Sequence, residues 1–202
     1  MTRSFTKAET SADWEPQRQI VQAAQAGDLE AIGQLYDVHI NQVYRYALAR
    51  LGNVQDAEDV VSEIFYKMLN GLPNYQWRKV PFAAWLMRIA HNEVVSFTRR
   101  NGRRANDTEL PEEILDRSNH VDPAENAERQ LALEDLRKAV ELLPEAQREV
   151  IILRFASGLS VADTAKALGK QENNVKVLQH KGMQRLQVLM TPKYPELAQK
   201  QS

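Results

Sequence analysis

The chain contains no cysteine, which excludes disulfide bonds, thiol redox chemistry and thiolate zinc sites. Its four histidines are scattered and form no spaced set of ligands, so we expect no metal and no cofactor. No apolar run approaches the roughly 18 residues of a membrane-spanning helix, and the amino-terminal stretch lacks the apolar segment of a signal peptide. We therefore expect a cytoplasmic protein without membrane insertion.

Sequence motifs for enzymatic chemistry are also missing. The sequence has no phosphate-binding glycine loop, no GxSxG nucleophile elbow and no paired nucleophile and base. We therefore do not expect an enzyme.

Charge is distributed unevenly, although the net charge of the 202 residues is only −1. Residues 76–104 contain seven Lys/Arg and one acidic residue, a net charge of +6. Residues 105–149 contain thirteen acidic and five basic residues, a net charge of −8, and residues 150–202 carry +5. Two basic regions around an acidic middle indicate two nucleic-acid-binding domains with an acidic connector, although solvated helix faces alone produce part of this pattern.

Apolar residues recur with helical spacing in almost every segment. We find neither the alternation of apolar and polar residues that is typical of strands nor a hairpin signal. We predict an all-α fold of two small helical domains joined by an acidic linker, the second being a helix-turn-helix domain. The predicted boundaries are a mobile amino terminus at 1–15, a first domain at 16–104, the linker at 105–126, a second domain at 127–190 and a mobile tail at 191–202.

The stretch from Pro81 to Arg104 begins as an apolar helix and ends as a basic cluster. Its apolar stripe includes Trp85, which we therefore expect to be buried. Another side of the same helix carries Arg88, His91, Asn92, Ser96 and Arg99. The stripe anchors the helix in a core, and the polar side remains available to a partner.

The second domain has the spacing of a helix-turn-helix. Ser160 followed by Asp163 is a capping pattern that starts a helix, and Gly169 ends that helix with a left-handed residue. Ala165 and Val175 supply the small residue at the helix crossing and the apolar contact that this motif requires. The outward residues of the second helix that we expect to meet a major groove are Gln171, Asn173, Asn174, Lys176, Gln179, His180 and Lys181. The alternative is a helical hairpin with a polar face.

Three stretches carry a resemblance to a known family: LYDVHINQVYRYALARLGNVQDAEDVVSEIFYKML, PFAAWLMRIAHNEVVSFTRR and LPEAQREVIILRFASGLSVADTAKALGKQENNVKVLQHKGMQRL. In this order and spacing they resemble the extracytoplasmic-function (ECF) sigma factors of bacterial RNA polymerase, over residues 20–189. The resemblance implies a protein that binds the core polymerase and promoter DNA, recognises the minus-ten and minus-thirty-five elements and promotes strand opening. It also implies an anti-sigma partner.

The segment Asp56–Phe65 resembles the part of the family's first domain that docks on the clamp helices of the polymerase. The core polymerase-binding residues implied here are Asp56, Glu58, Asp59, Glu63 and Phe65. Acidic side chains at these positions suit a basic partner surface. The alternative is that they form a solvated helix face.

The loop at residues 74–80 and the following helix resemble the family's minus-ten reader, in which the loop captures a flipped base. Aromatic side chains stack on unstacked bases, and Lys and Arg follow the phosphates. The minus-ten residues implied are Tyr75, Trp77, Arg78, Lys79, Arg88, His91, Asn92, Ser96, Arg99, Arg100, Arg103 and Arg104. The sequence departs from the family pattern at Ser96, where Asp is frequent, at Leu178, where Arg is expected, and at Gly182, where Ala is frequent.

Two other functions stay open on the sequence alone. One is a self-sufficient helix-turn-helix regulator that binds duplex DNA, and the other is a helical adaptor that binds only protein. Three results distinguish these functions. A sigma factor gives promoter-specific transcription with core polymerase, a regulator binds duplex DNA without polymerase, and an adaptor binds neither form of DNA.

Overall fold

The computed structural model describes residues 15–77, 80–101, 123–195 and 197. Within these ranges every regular element is a helix, which confirms the predicted all-α fold. The first helical group consists of α1 Glu15–Gln25, α2 Leu29–Leu51, α3 Val54–Gly71 with a 3₁₀ turn Leu72–Asn74, and α4 Phe82–Asn101. The second helical group consists of α5 Pro123–Glu141, α6 Glu145–Ile151 with a π turn Ile152–Ala156, α7 Val161–Leu168 and α8 Glu172–Met190.

Local capping signals set the helix boundaries of the first group. The side chain of Asp28 accepts hydrogen bonds from the backbone N–H groups of Glu30 and Ala31 at the start of α2. Gly52 ends α2 with a φ of 68°, a left-handed conformation that glycine adopts without a steric penalty. Asn53 then caps α3 by accepting from the N–H of Asp56. These caps fix the start and the end of α2 and the start of α3.

The core of the first group lies between α2, α3 and α4. Tyr46, Ile64, Phe82 and Leu86 are fully buried there. Trp85 is partly buried and packs against this core with its ring 4.8 Å from that of Tyr75, as its place in the apolar stripe predicted. Since α4 is held on its apolar side, its polar side has a fixed orientation.

The second group has two small cores of its own and also packs against the first group. Ile151 and Leu186 lie in the core between α5, α6 and α8, and Val150, Ala165 and Val175 form the other. Buried residues of the π turn and α7, among them Leu153 and Ala167, instead join the core of the first group. The two groups therefore form a closed arrangement in which α7 lies against α4.

The ends of the second group differ from the predicted boundaries. Helix α5 begins at Pro123, within the predicted linker. Two residues assigned from sequence to a mobile tail contact α5: Lys193 Nζ lies 2.5 Å and the Tyr194 hydroxyl 3.1 Å from the carboxylate of Asp135. In the described part of the chain, no helix has the length and apolar character to cross a membrane.

Candidate nucleic-acid interface

The predicted helix-turn-helix is present in α7 and α8. Ser160 caps α7 by accepting a 3.0 Å hydrogen bond from the N–H of Asp163. Gly169 ends α7 with a φ of 63°, and the N–H of Lys170 donates to the carbonyl of Ala165 at 2.8 Å. Ala165 and Val175 are buried against each other's helix, so the crossing geometry inferred from their spacing is confirmed.

The exposed side of α8 carries most of the predicted minus-thirty-five residues. The side chains exposed there are Gln171, Asn173, Asn174, Lys176 and Lys181. Gln179 is half-buried, and its amide oxygen accepts a 2.9 Å hydrogen bond from Arg154. His180 lies instead beside a groove between α5 and α8. The early part of α8 therefore presents amide and ammonium groups to solvent, as major-groove contact requires.

Helix α4 has two polar sides in different surroundings. Arg88 donates to the carbonyls of Lys166 and Ala167 at the end of α7, and His91 contacts Glu149 of α6. Asn92, Arg99 and Arg100 are exposed, and Ser96 is half-buried. The α4 residues predicted to contact the minus-ten element are thus divided. Arg88 and His91 contact the second group, whereas the remaining residues lie on the part of α4 that faces solvent.

A polar cluster around Glu149 joins the two groups. Tyr46 donates a 3.0 Å hydrogen bond to Glu149 Oε2, His91 Nδ1 lies 3.1 Å from the same oxygen, and Arg50 Nη2 lies 2.7 Å from Oε1. Burial opposes ionisation of Glu149, but the hydrogen bonds and the charge of Arg50 outweigh it, so its pKa lies below the ordinary value. Arg50 also pairs with Glu145 at 2.7 Å. Glu149 is therefore an ionised, enclosed contact between the groups.

The loop after α3 is anchored beneath by Tyr75. Its ring is buried between Phe82 and Trp85, and its hydroxyl donates to the carbonyl of Val80 at 2.8 Å. Tyr75 therefore does not present a stacking surface in this arrangement, contrary to the role assigned from sequence. The chain adopts this position because three aromatic rings bury more apolar surface together than apart.

Trp77 remains the aromatic side chain of this loop that reaches the surface. It is half-buried, and its ring meets the edge of Tyr75 with a centroid distance of 6.1 Å. The amide of Gln25 holds the start of the loop by donating to the carbonyls of Leu72 and Tyr75 at 2.9 and 2.7 Å. The predicted cations Arg78, Lys79, Arg103 and Arg104 lie outside the described residues.

The candidate polymerase-binding residues on α3 fall into two sets. Glu58, Asp59 and Glu63 are exposed and Asp56 is half-exposed, so this acidic face is available to a basic partner. Phe65 is buried, with its ring 4.7 Å from that of Tyr36, and so supports the helix from within rather than forming the contact itself. The neighbouring Tyr66, which the sequence reasoning missed, is 61% exposed on the same helix.

Other functional candidates were missed because nothing local marks them. Glu149 is 103 residues from Tyr46 in sequence, and it was counted only as part of the acidic segment. Gln25 has the polarity of an ordinary surface residue. One signal was visible: Glu93 is the single acidic residue within residues 76–104, and the structure buries it. Within the described residues no group of three or more potential ligands is placed to hold a metal ion.

A groove of about 640 Å³ lies between α5 and α8, and Tyr194 and Leu197 also line it. Its lining is mainly apolar and includes Leu136 and Met183, which are 39% and 45% exposed. Exposed apolar side chains in a groove are typical of a binding surface for a partner's helix.

In the described residues, whose regular elements are all helices, a helix-turn-helix and a second, cation-bearing helix are features typical of a DNA-binding transcription protein. The family model described as Sigma-70 region 2 matches residues 35–104, and that described as Sigma-70, region 4 matches residues 133–186. The first match covers the loop and α4, and the second covers the helix-turn-helix. The two surfaces described above therefore fall within the two matched regions of one family.

Individual relatives point to the same family. The chain is 37% identical over 174 residues to the ECF RNA polymerase sigma factor BldN of Streptomyces coelicolor, covering 85% of this chain and 65% of that protein. It is 35% identical over 173 residues to the ECF RNA polymerase sigma factor SigD of Mycobacterium tuberculosis, covering 83% and 80%. The chain thus spans slightly less than two thirds of BldN and most of SigD.

Solved structures agree with the sequence relatives. CnrH in complex with the cytosolic domain of CnrY matches with a TM-score of 0.68 and 26% identity, covering 87% of this chain and 97% of that chain. The sigma factor RpoE in complex with the anti-sigma factor NepR from Bartonella quintana matches with a TM-score of 0.62 and 27% identity, covering 81% and 98%. The chain belongs to the ECF RNA polymerase sigma factors.

Proposed function

We propose that this chain binds core RNA polymerase through the acidic face of α3 and directs it to promoters. Helix α4 and the loop that follows α3 contact the minus-ten element, and α8 contacts the minus-thirty-five element. The observation that carries the proposal is the presence, on one chain, of an exposed amide and ammonium face on α8 and an exposed Asn92, Arg99 and Arg100 side on α4. Such groups pair with base edges and phosphates.

Strand opening follows from binding energy in this proposal. Extruding a base costs a few kcal/mol, which contacts to the unstacked base and to the phosphates offset. Trp77 supplies the stacking surface at the loop, while Tyr75 and Gln25 hold the loop from beneath. Single-stranded DNA is bound in this way without nucleotide hydrolysis. The protein therefore acts as a specificity subunit, and the polymerase supplies the catalysis in the cytoplasm.

Contact with both promoter elements requires the two helical groups to separate. The elements lie about 25 base pairs apart, roughly 85 Å along a duplex with ~3.4 Å per base pair. A compact chain of 202 residues has a radius of gyration of only about 17 Å. Separation also releases Arg88 and His91, which then join Asn92 on the minus-ten surface. The closed arrangement is thus the unbound state.

An anti-sigma protein is a further partner in this proposal. RpoE, a structural relative, is recorded in complex with an anti-sigma factor, and CnrH with the cytosolic domain of CnrY. The apolar groove between α5 and α8, with a volume of about 640 Å³, offers such a protein a surface to which a helix can bind.

Run-off transcription tests the proposed function. Purified core polymerase and the chain are incubated with a genome-wide library of promoter fragments, and the transcripts are sequenced. We expect discrete start sites that share one pair of upstream motifs and that are absent when the chain is omitted. Sequence-specific duplex binding without polymerase, and no specific transcripts with it, would instead establish the stand-alone regulator.

A further inference from the structure

Glu93 is a buried acidic residue in the most basic segment of the chain. It is the single acid among residues 76–104, and its side chain is only 4% exposed. Its two carboxylate oxygens are shared between two cations: Oε2 accepts from Lys67 of α3, and Oε1 accepts from Arg100 of α4 at 2.9 Å. The carboxylate therefore ties together cations from two different helices.

Glu93 is ionised between two cations that remain partly exposed. Burial opposes the ionised form of Glu93, but the hydrogen bonds from Lys67 and Arg100 outweigh it, so its pKa lies below the ordinary value. The cationic side chains are themselves 43% and 58% exposed. Glu63 also lies 3.5 Å from the Lys67 ammonium, on the side of the acidic face of α3.

Lys67 marks the point where the exposed charge of α3 changes sign. It is the one Lys or Arg in α3, whose other charged residues are all acidic, and it lies one turn before Gly71 and the minus-ten loop. On α4, Ser96 and Arg100 follow Glu93 by three and seven residues and so lie on the same side of the helix. The contact with Glu93 therefore places Lys67 beside the solvent-facing part of α4 that carries Ser96 and Arg100 and belongs to the proposed minus-ten surface.

We propose that Lys67 is a further phosphate-contacting residue of the minus-ten surface, and that Glu93 is the positioning residue that fixes Lys67 and Arg100 side by side. This inference rests on the proposed function. An ammonium has three donors and a guanidinium five, so each cation can bind Glu93 and still donate to a phosphate oxygen. Two cations held at a fixed separation suit the regular spacing of phosphates on a strand better than two mobile side chains.

The salt dependence of promoter binding tests the role of Lys67. Holoenzyme is assembled from core polymerase and the full chain, and its affinity for a promoter fragment is measured between 50 and 200 mM salt. We expect Lys67→Ala to reduce the slope of log K against log salt by about 1, and Lys67→Arg to restore it. The matched control is Lys138→Ala on α5, which also removes an exposed lysine paired with a glutamate, Glu134, at 2.6 Å.

A substitution at Glu93 tests the positioning role. Glu93→Gln keeps both cations and removes the carboxylate charge, so affinity for a scrambled fragment rises while the fixed geometry is lost. We expect the ratio of promoter affinity to scrambled affinity to fall about threefold or more. A residue that only joined α3 to α4 would lower both affinities in proportion to the folded fraction, which circular dichroism reports.

The outcomes separate this inference from the proposed function. If wild-type holoenzyme shows no preference for promoter over scrambled DNA, the proposed function fails before any variant is measured. If the wild type is selective but Lys67→Ala leaves the slope unchanged, or Glu93→Gln leaves the affinity ratio unchanged, the assignment of these two residues is overturned and the function stands.

Discussion

Arg88 on α4 donates hydrogen bonds to the backbone carbonyls of Lys166 and, at 3.4 Å, Ala167 in the last turn of α7. The last carbonyls of a helix have no partner within the helix, and a guanidinium both satisfies them and complements the negative end of the helix dipole. A residue predicted to contact DNA therefore joins the two helical groups in the unbound chain. When the two groups separate, as proposed above, Arg88 loses the carbonyls of α7 as partners and becomes available to DNA.

Replacing Arg88 with Ala should loosen the contact between α4 and α7. Because the guanidinium is exposed, the expected loss of unfolding free energy is small, about 1 kcal/mol or less. The backbone N–H groups at the end of α7 should nevertheless exchange with deuterium several-fold faster. Arg99→Ala is the control, since Arg99 is also exposed on α4, eleven residues further along the helix. Equal protection of α7 in both variants would contradict the role of Arg88.

Glu149→Gln should destabilise the closed arrangement by about 1–3 kcal/mol at pH 7, because it leaves Arg50 and Tyr46 with a weaker partner. Glu145→Gln is the matched control: it lies on the same helix and also pairs with Arg50, but its side chain is 59% exposed. We expect at most about 1 kcal/mol there. Urea unfolding of the two variants measures both values.

The pH dependence of the Glu149 effect has a definite sign. The folded-state pKa of Glu149 lies below its ordinary value of 4.5, so its contribution to stability is present above that pH. The contribution is lost as the pH falls through the folded-state pKa. The difference in unfolding free energy between wild type and Glu149→Gln should therefore be constant near neutral pH and shrink below about pH 4.5. A difference that grows on acidification would show that the carboxylate is not the stabilising form.

Two glycines on helices predict opposite effects of the same substitution. A Cβ at Gly182 would lie 2.9 Å from Cγ1 of the buried Ile151, so α8 approaches α6 closely only because this position lacks a side chain. Gly182→Ala should destabilise the chain by up to about 2 kcal/mol, the cost of overpacking (about 1–3 kcal/mol) less the gain in helix propensity (about 1 kcal/mol). At Gly33, exposed within α2, no atom outside the surrounding backbone of α2 and the adjacent residues lies within 4 Å of the added Cβ, so Gly33→Ala should stabilise by up to about 1 kcal/mol. Thermal unfolding distinguishes the two signs.

Sequence reasoning succeeded where the determinants are local. Ser160, Gly169 and Val175 fixed the helix-turn-helix because a cap, a left-handed residue and an apolar contact act within one or two turns. It failed at the contact between the two groups, since His91 and Glu149 are 58 residues apart and each has the polarity of a surface residue. Tyr75 was misjudged for a related reason: an aromatic residue suits a core as well as a stacking surface, and only its neighbours decide.

Trp77→Ala should impair strand opening more than polymerase binding. Stacking on an unpaired base contributes about 1–3 kcal/mol, so open-complex formation should fall roughly 5- to 150-fold, while capture of the chain by core polymerase stays within about twofold. Permanganate reactivity of unpaired thymines reports the opening, and a pull-down reports the binding. An equal loss in the two assays would assign Trp77 to folding instead.

Substitutions on α8 should separate positioning from sequence recognition. Lys176 and Asn173 are both exposed near the start of α8, but an ammonium pairs with any phosphate whereas an amide pairs with the edge of adenine. Lys176→Ala should weaken holoenzyme binding to all minus-thirty-five sequences alike and reduce the salt slope by about 1. Asn173→Ala should cost about 1–3 kcal/mol on the preferred sequence and relax the base preference at one position. Binding to a library randomised in the minus-thirty-five element measures both effects, and a changed base preference in Lys176→Ala would mean that this lysine reads a base rather than the backbone.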